Sequence, residues 1–480
     1  MNNTRSNIQL DDELYFKKLA YCLFLILMGY SLYLLNKLPV AISWEKAYLA
    51  MGIIWLGMLP SLLYLVNSRR EPIPFFPLIG IFYAFSFGLP ILLTGIKNPN
   101  QYSILAVTKD SLSLVFLGIL EMNLVFFIIK IFAIKNIRPI NFPYPYTTQR
   151  LFNILIIFLL LHLSYFYIPF LQQVPSVGQI LEPVGYIAYG MFFILWSNNQ
   201  LRSNSLKLFI IICFLLEFLK RFTSGALAQV LFLGLYILLI IWYQRKRLPI
   251  GLIIASLLFF LTFNSIKGEY RSLVWGGDYS QSNPIEKAQL FVDLAIKRYS
   301  SDETEQQEDN YTSSTDSAIN RTAYIVLFSK VMEDTPKPIP YWGGETYLNL
   351  FTSFIPRAIW PDKPTENTGN VFGRRYGYLN QNDYVTSLNL PWLVELYANF
   401  GELGVLFGMP LLGAFLAIVD LKLNSPNMNS FEVVIGSTII FKLIDQESNF
   451  SLIVGSLFPF ILTIYLIFRL LSGNSKGSKS

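Results

Sequence analysis

Long apolar runs separated by short polar stretches dominate this chain. A helix needs about 20 mostly apolar residues to cross the hydrocarbon core of a bilayer. By that measure the pattern predicts spans near 19–36, 47–66, 73–95, 112–134, 151–171, 178–196, 205–220, 223–243, 249–266, 399–420, 431–448 and 451–471. The seventh is short and carries Glu217. The eleventh carries Lys442, Asp445 and Glu447, so it reads as broken or facing a polar cavity. Only 267–398 lacks an uninterrupted run. Within it, Asn283 as N-cap and Pro284 at the first helical position open an amphipathic helix over 284–299. Residues 301–318 are rich in Ser, Thr, Gln and acidic side chains and read as a disordered connector. A second helix is expected from near Asp316 through Val331, followed by aromatic-rich turns from Thr335 to Ala398. The expected organisation is a membrane bundle over 1–266, an external loop over 267–398 and three membrane helices over 399–480. No internal repeat is visible, which gives inverted-repeat transport architecture no support.

Composition sharpens the class. Hydrophobic residues make up 53% and charged residues 14%, against about 25% charged in ordinary globular domains. The fold class is therefore an all-α polytopic integral membrane protein. Water-soluble enzymes, nucleic-acid modules and secreted disulfide scaffolds are excluded. Both cysteines, Cys22 and Cys213, sit inside apolar runs and read as packing residues. The single histidine, His162, rules out a histidine-rich metal site. Asp11, Asp12 and Glu13 ahead of the first run suggest a retained cytoplasmic tail rather than a signal peptide.

The net charge of +6 comes from cations at the ends of apolar runs. An N-terminus inside places Lys17, Lys18, Arg69, Arg70, Lys130, Lys135, Arg138, Arg150, Arg202, Lys207, Arg245, Lys246, Arg247 and Lys422 on one side. The opposite short loops hold only Lys37, Lys46, Lys97, Lys109, Lys220 and Arg221. Cytoplasmic loops carry the excess of Lys and Arg, so both termini are expected in the cytoplasm and twelve spans in all.

Against that trend, Lys220 and Arg221 lie at the outer end of a tight hairpin continuing through Thr223, Ser224 and Gly225. Snorkelling to headgroups is one reading; an anion site beside the next helix N-terminus is the other. Lys267, Glu269, Tyr270 and Arg271 follow the ninth span, and Arg321 opens the second loop helix. The segment from Phe354 to Pro364 contains Pro356, Pro361 and Pro364, which fix a rigid path. That path presents Arg357 and Lys363, with Trp360 as an apolar or sugar-stacking surface. Arg374 and Arg375 come next, then Glu395, Tyr397, Asn399 and Gly401 leading into the tenth span. An interfacial aromatic belt accounts for the prolines and Trp360 but not for the gathered guanidinium groups. Their planar fork matches phosphate oxygens bidentately, which suits a diphosphate.

At these residues the sequence resembles the O-antigen polymerase (Wzy-type) group of oligosaccharide repeat-unit polymerases. The resemblance is architectural over the whole chain and motif by motif only from about 220 to 404. It implies a metal-independent glycosyltransferase of GT-C type that needs no cofactor. Such an enzyme joins polyprenyl-diphosphate-linked glycan units on the outer face of a bacterial cytoplasmic membrane. Carried over by position, Arg221, Arg271 and Arg357 grip the donor diphosphate as charge develops on the leaving group. Lys220, Arg321, Trp360, Lys363, Arg374, Arg375, Tyr397 and Asn399 hold substrate, and Glu395 orients the attacking hydroxyl or acts as its base. A salt-bridge role for Glu395 is equally open.

Two departures bear on this. The related ligases use a histidine in the outer loop, whereas His162 lies mid-span, so polymerase is favoured over ligase. Metal-dependent GT-C relatives place acidic residues in the first outer loop, and here only Glu45 is present. The implied partners are lipid-linked glycans, the bilayer and a chain-length regulator, with no nucleic acid. A flippase of lipid-linked oligosaccharide is the rival, kept alive by Glu121, Glu217, Lys442 and Asp445; a non-catalytic assembly subunit is the third reading.

Overall fold

The computed structural model describes residues 2–38, 42–97, 102–133, 136–143, 148–174, 177–225, 227–300, 323–353, 355, 360, 362–363 and 367–472. Every regular element among them is helical. In chain order these are α1 (Asn2–Asn36), α2 (Trp44–Val66), α3 (Phe75–Tyr83), α4 (Leu89–Lys97), α5 (Tyr102–Leu105) and α6 (Lys109–Ala133). Then come α7 (Thr148–Tyr167), α8 (Pro169–Gln173), α9 (Val177–Ser197), α10 (Asn204–Thr223), α11 (Leu227–Arg245), α12 (Ile250–Trp275) and α13 (Pro284–Ser300). The chain closes with α14 (Tyr324–Asp334), α15 (Glu345–Ser353), α16 (Thr368–Arg375), α17 (Trp392–Leu423), α18 (Ser430–Ile444) and α19 (Phe450–Ser472). A π-helical turn at Ala84–Gly88 joins α3 to α4.

Each of the twelve apolar runs predicted from the sequence overlaps a helix among the described residues. Eight helices among the described residues are long and apolar enough to cross a membrane: Asp11–Asn36, Trp44–Val66, Phe75–Leu93, Lys109–Ala133, Gln149–Tyr167, Ile180–Ser197, Trp392–Leu423 and Phe450–Arg469. The protein is thus a helical membrane protein by the composition of its elements. Of the others, α10 carries Lys207, Glu217, Lys220 and Arg221, and α18 has only 15 residues.

The chain folds as two compact units. One comprises Met1–Pro143 with Arg321–Leu471, the other Tyr144–Asn320 with Ser472–Ser480. The segment read as a single external loop is therefore divided, with α13 in the second unit and α14 to α16 in the first.

In the first unit α6 packs along α17 and α2. Small residues allow this. A Cβ on Gly413 of α17 would lie 2.4 Å from the Met122 carbonyl oxygen of α6, and where α3 meets α2 one on Gly80 would lie 2.2 Å from that of Gly57. Such close backbone approach is a common way for apolar helices to associate without a hydrophobic driving force between them. Asn123 Nδ2 donates to the Leu56 carbonyl at 2.9 Å and ties α6 to α2. At one end of the unit Lys130 sits between Glu71 (2.6 Å) and Asp420 (2.5 Å). Asn424 there bonds both backbone groups of Ile73. Asn429 and Glu432 form a reciprocal capping box that starts α18, satisfying donors that a helix start otherwise leaves open.

In the second unit α7 packs on α9, and α10, α12 and α13 share an aromatic core. As the N-cap pattern predicts, Asn283 Oδ1 accepts the Glu286 amide at 3.0 Å while Glu286 returns a bond to the Asn283 amide. The apolar face of α13 (Leu290, Phe291, Leu294) buries against Phe222, Phe263 and Tyr270. The connector expected over 301–318 and the start of the second loop helix lie outside the described residues, which resume with α14. The turns expected from Thr335 to Ala398 instead contain α15, α16 and the first turns of α17. These pieces are too short, at nine and eight residues for the first two, to leave a periodic signature.

Candidate functional site

The hairpin and post-span motifs at 220–225 and 267–271 come together in the second unit. The predicted ninth span does not stop at 266: α12 continues to Trp275, so Lys267, Tyr270 and Arg271 ride on its last turns. From there three side chains cover the carbonyls that end α10. Tyr270 donates to the Thr223 carbonyl (3.3 Å), Trp275 Nε1 to that of Ser224 (2.9 Å) and Arg271 Nε to that of Gly225 (2.7 Å). A helix end leaves carbonyls unsatisfied and carries partial negative charge, so a cation there is stabilising. The Arg271 guanidinium also lies 4.4 Å from the Trp275 ring centroid. Gly225 adopts φ +71°, and a Cβ there would meet Trp275 and Arg271 at 3.3–3.4 Å, so the turn suits glycine.

Arg221 turns inward rather than toward a surface ligand. It is 2% exposed and donates through Nε to Glu217 Oε1 at 2.8 Å and through an Nη to Glu182 Oε1 at 3.2 Å. Its guanidinium also lies 4.9 Å from the Phe166 ring centroid and 5.6 Å from that of Tyr186. Glu217 and His162 are both fully buried. Glu217 Oε2 lies 2.9 Å from His162 Nε2, and His162 Nδ1 lies 3.0 Å from the Leu181 carbonyl oxygen. A carbonyl oxygen only accepts, so Nδ1 carries a hydrogen. Nε2 and Oε2 then need one proton between them, held by the imidazole or by the carboxyl. Gly185 makes the room: a Cβ there would stand 2.2–2.4 Å from the His162 ring. Lys220 lies 5.9 Å from the Tyr167 ring centroid.

The sequence pattern alone points Arg221 at an anion and sets His162 in mid-span. Arg221 instead uses guanidinium donors on Glu217 and Glu182, because an unpaired charge at that depth is costly. One signal was visible: Glu217 and Arg221 are four residues apart, the spacing of a helical ion pair. The approach of His162 and Glu182 from other helices left no local trace.

In the first unit a second constellation forms around the start of α17. Asn399 is 1% exposed. Its Oδ1 accepts the Gly344 amide (2.9 Å), and its Nδ2 donates to Thr346 Oγ1 (2.9 Å) and the Glu395 carbonyl (2.8 Å). The carbonyls of Ala398 and Asn399 accept the Trp342 and Gly343 amides at 3.0 and 3.1 Å. Two residues on, Gly401 breaks the helix at φ +67°, ψ −149°, a conformation essentially reserved for glycine. Tyr397 is buried against Phe328 and Tyr341. Glu395 is fully buried, and its Oε2 accepts the Phe450 amide at 2.7 Å. It thus places a carboxylate on the first turn of α19, where the helix dipole favours one. In this geometry Glu395 positions α19 rather than facing an acceptor hydroxyl.

Arg374 and Arg375 end α16, half-buried on neighbouring positions. Arg374 Nε donates to Asn370 Oδ1 at 3.0 Å, and its guanidinium lies 4.4 Å from the Tyr384 ring centroid. Arg375 donates to the Pro340 carbonyl at 2.6 Å, and its guanidinium lies 4.5 Å from the Trp342 ring centroid. Neutral acceptors and aromatic faces hold both, and among the described residues no carboxylate is bonded to either, although Arg374 also attracts the nearby Asp383 carboxylate. Asp383 anchors the Tyr384 turn by accepting the Val385 and Thr386 amides at 3.0 and 2.8 Å. The hydroxyl and amide of Thr386 hold its carboxyl below its ordinary value of 3.8. Trp360 is 37% exposed, and Lys363 is half-buried with Nζ on the Ile355 carbonyl at 3.2 Å. Arg321 and Arg357 lie outside the described residues.

The motifs thus divide between the two units: Lys220, Arg221 and Arg271 fall in the second, and Trp360, Lys363, Arg374, Arg375, Glu395, Tyr397 and Asn399 in the first. No group of three or more His, Cys, Asp or Glu suited to a metal ion occurs among the described residues. No curated protein and no solved structure matches the chain. One family model does match, over residues 107–475, the greater part of the chain, and it is described as a domain of unknown function. The chain therefore belongs to the DUF8712 family.

Proposed function

We propose that this membrane protein is a glycosyltransferase that polymerises polyprenyl-diphosphate-linked oligosaccharide units. In this reading all twelve apolar runs cross a bacterial cytoplasmic membrane in a GT-C-like arrangement. Both termini are cytoplasmic and 267–398 is external. The single observation that carries the reading is the Arg374–Arg375 pair. Two adjacent guanidinium groups are held by neutral acceptors and aromatic rings beside Trp342 and Tyr384, with their charge left available to an anion. Arginine forks bind diphosphate oxygens bidentately, and flat aromatic faces suit sugar rings.

The reaction breaks the bond between the donor sugar's anomeric carbon and the diphosphate oxygen. It forms a glycosidic bond to a hydroxyl of the acceptor unit, whose proton passes to a base or to solvent. Negative charge grows on the departing diphosphate, and preorganised cations stabilise it. Arg374, Arg375 and Lys363 take that role among the described residues, with Trp360 as a sugar platform. Arg221 and Arg271 act here as positioning residues, the first inside a buried network and the second on the end of α10.

The test is chain extension by purified protein on a synthetic polyprenyl-diphosphate repeat unit, with EDTA present. Parent protein should give a ladder of products. Arg374→Lys with Arg375→Lys keeps the charge but loses the fork, and should cut the rate at least tenfold at unchanged protein level. Full activity in that variant, or a ladder that needs added metal, overturns the mechanism. A second reading, transport of lipid-linked oligosaccharide, is favoured by the ionic networks buried within apolar helices at Arg221 and Lys130. Cells lacking the gene separate the two: polymerase loss leaves single units on the outer face, transporter loss on the inner.

A further inference from the structure

Where α2, α6 and α17 end and α3 begins, the first unit holds a half-open cavity of about 970 Å3. That is the upper end of the ~300–1,000 Å3 range of pockets that take small ligands. Its lining has two characters. Phe75, Phe76 and Phe126 are buried and apolar, whereas Arg69 is exposed and sits beside Arg70, Glu71, Lys130 and Asp420. Lys130 is already matched by its two carboxylates, so that trio carries one negative charge. Arg69 and Arg70 bring the lining to one net positive charge. Asp12 and Glu13 on α1 also act on Arg70, and Glu13 is itself paired with Lys17 at 2.8 Å.

Arg70 supplies a second, independent observation. Its guanidinium lies 3.5 Å from the Phe16 ring centroid, and its Nη1 is buried with no hydrogen-bond partner. Buried donors are nearly always satisfied, and an orphan costs free energy that a ligand oxygen can recover.

The geometry points to a phosphate-bearing amphiphile as the occupant of this cavity. Its phosphate oxygens meet Arg70 and Arg69, and its hydrocarbon lies along Phe75, Phe76 and Phe126. A guanidinium fork fits phosphate better than an ammonium does. The cations that the sequence assigns to the cytoplasmic side gather at this end, and basic pockets between membrane helices on that side receive anionic lipid head groups. The cavity shares no residue with the candidate transferase site, and the inference does not depend on that function.

The test titrates purified full-length protein in detergent with dioctanoyl phosphatidic acid, dioctanoyl phosphatidylcholine and inorganic phosphate. Native mass spectrometry reads stoichiometry, and the thermal midpoint reads affinity. The expected result is one phosphatidic acid per chain, at least tenfold weaker binding by Arg69→Gln/Arg70→Gln, and no preference for phosphatidylcholine in parent over variant. Arg69→Gln alone, at an exposed position, should fold normally and still weaken binding severalfold. Protection by inorganic phosphate equal to that by phosphatidic acid supports the anion contacts and names free phosphate as the ligand. Equal binding of phosphatidic acid by parent and both variants, or equal binding of the two lipids by parent, overturns the inference.

Discussion

Replacing Glu217 by alanine tests the buried network of the second unit directly. The change removes the acceptor 2.8 Å from Arg221 Nε and the oxygen 2.9 Å from His162 Nε2, at a fully buried position. Breaking a buried pair by deleting one partner typically costs 3–5 kcal/mol. Two features of the site favour the low end. Arg221 keeps Glu182, although that side chain is 43% exposed and so contributes little. His162 keeps its Nδ1 contact with the Leu181 carbonyl oxygen. The expected loss is therefore about 3 kcal/mol, roughly a hundredfold in the local opening equilibrium. Cys213, 2% exposed on the same helix, gives the readout in a Cys22→Ser background. Its rate of maleimide labelling under native conditions should rise about a hundredfold in Glu217→Ala, taking opening as rapid relative to labelling. Glu217→Gln keeps a hydrogen-bonding group toward both neighbours and should cost less, about 1–2 kcal/mol. Gly185→Ala, which drives a methyl into the His162 ring, should reach a similar state without touching any charge. Labelling of Glu217→Ala within twofold of parent would refute the claim that this carboxylate holds the network together.

Gly401→Ala should lower the thermal midpoint measurably, since a side chain at φ +67°, ψ −149° costs about 1–3 kcal/mol and its Cβ would stand 2.6 Å from the Tyr341 hydroxyl oxygen; an unchanged midpoint would count against the kink. The Asp383 turn should be acid-sensitive. Its carboxyl is held below 3.8 in the folded state, so its contribution is complete above the unfolded value and fades as pH falls through the folded one. Amide exchange over 380–390, corrected for intrinsic rates, should lose protection only in that acid range, and Asp383→Asn should show the looser turn already at neutral pH.

Element positions were legible from the sequence because membrane helices announce themselves through sustained apolarity. The helix at α13 was equally visible, since Asn283, Pro284 and the amphipathic spacing are local signals. Orientation of side chains was not. Arg221 and Arg271 read as ligand-facing because they stood where anchors are rare. Instead one faces Glu217 and Glu182 and the other a helix end, and Glu182 and Gly225 stand 39 and 46 positions away in sequence. Glu395 shows the same limit: its partner is the Phe450 amide, 55 positions on. Short helices such as α15 and α16 hold too few turns to display a period.

The bonds around Asn399 make the break at Gly401 a pivot with an attached lever. The Trp342–Gly344 turn is fastened by its amides to the last carbonyls before the break, and Arg375 rests on that turn through the Pro340 carbonyl and the Trp342 ring. Swinging the nine residues ahead of the pivot would carry the turn and re-aim Arg375 along with it, so tilt in one helix and the heading of one guanidinium are geared together.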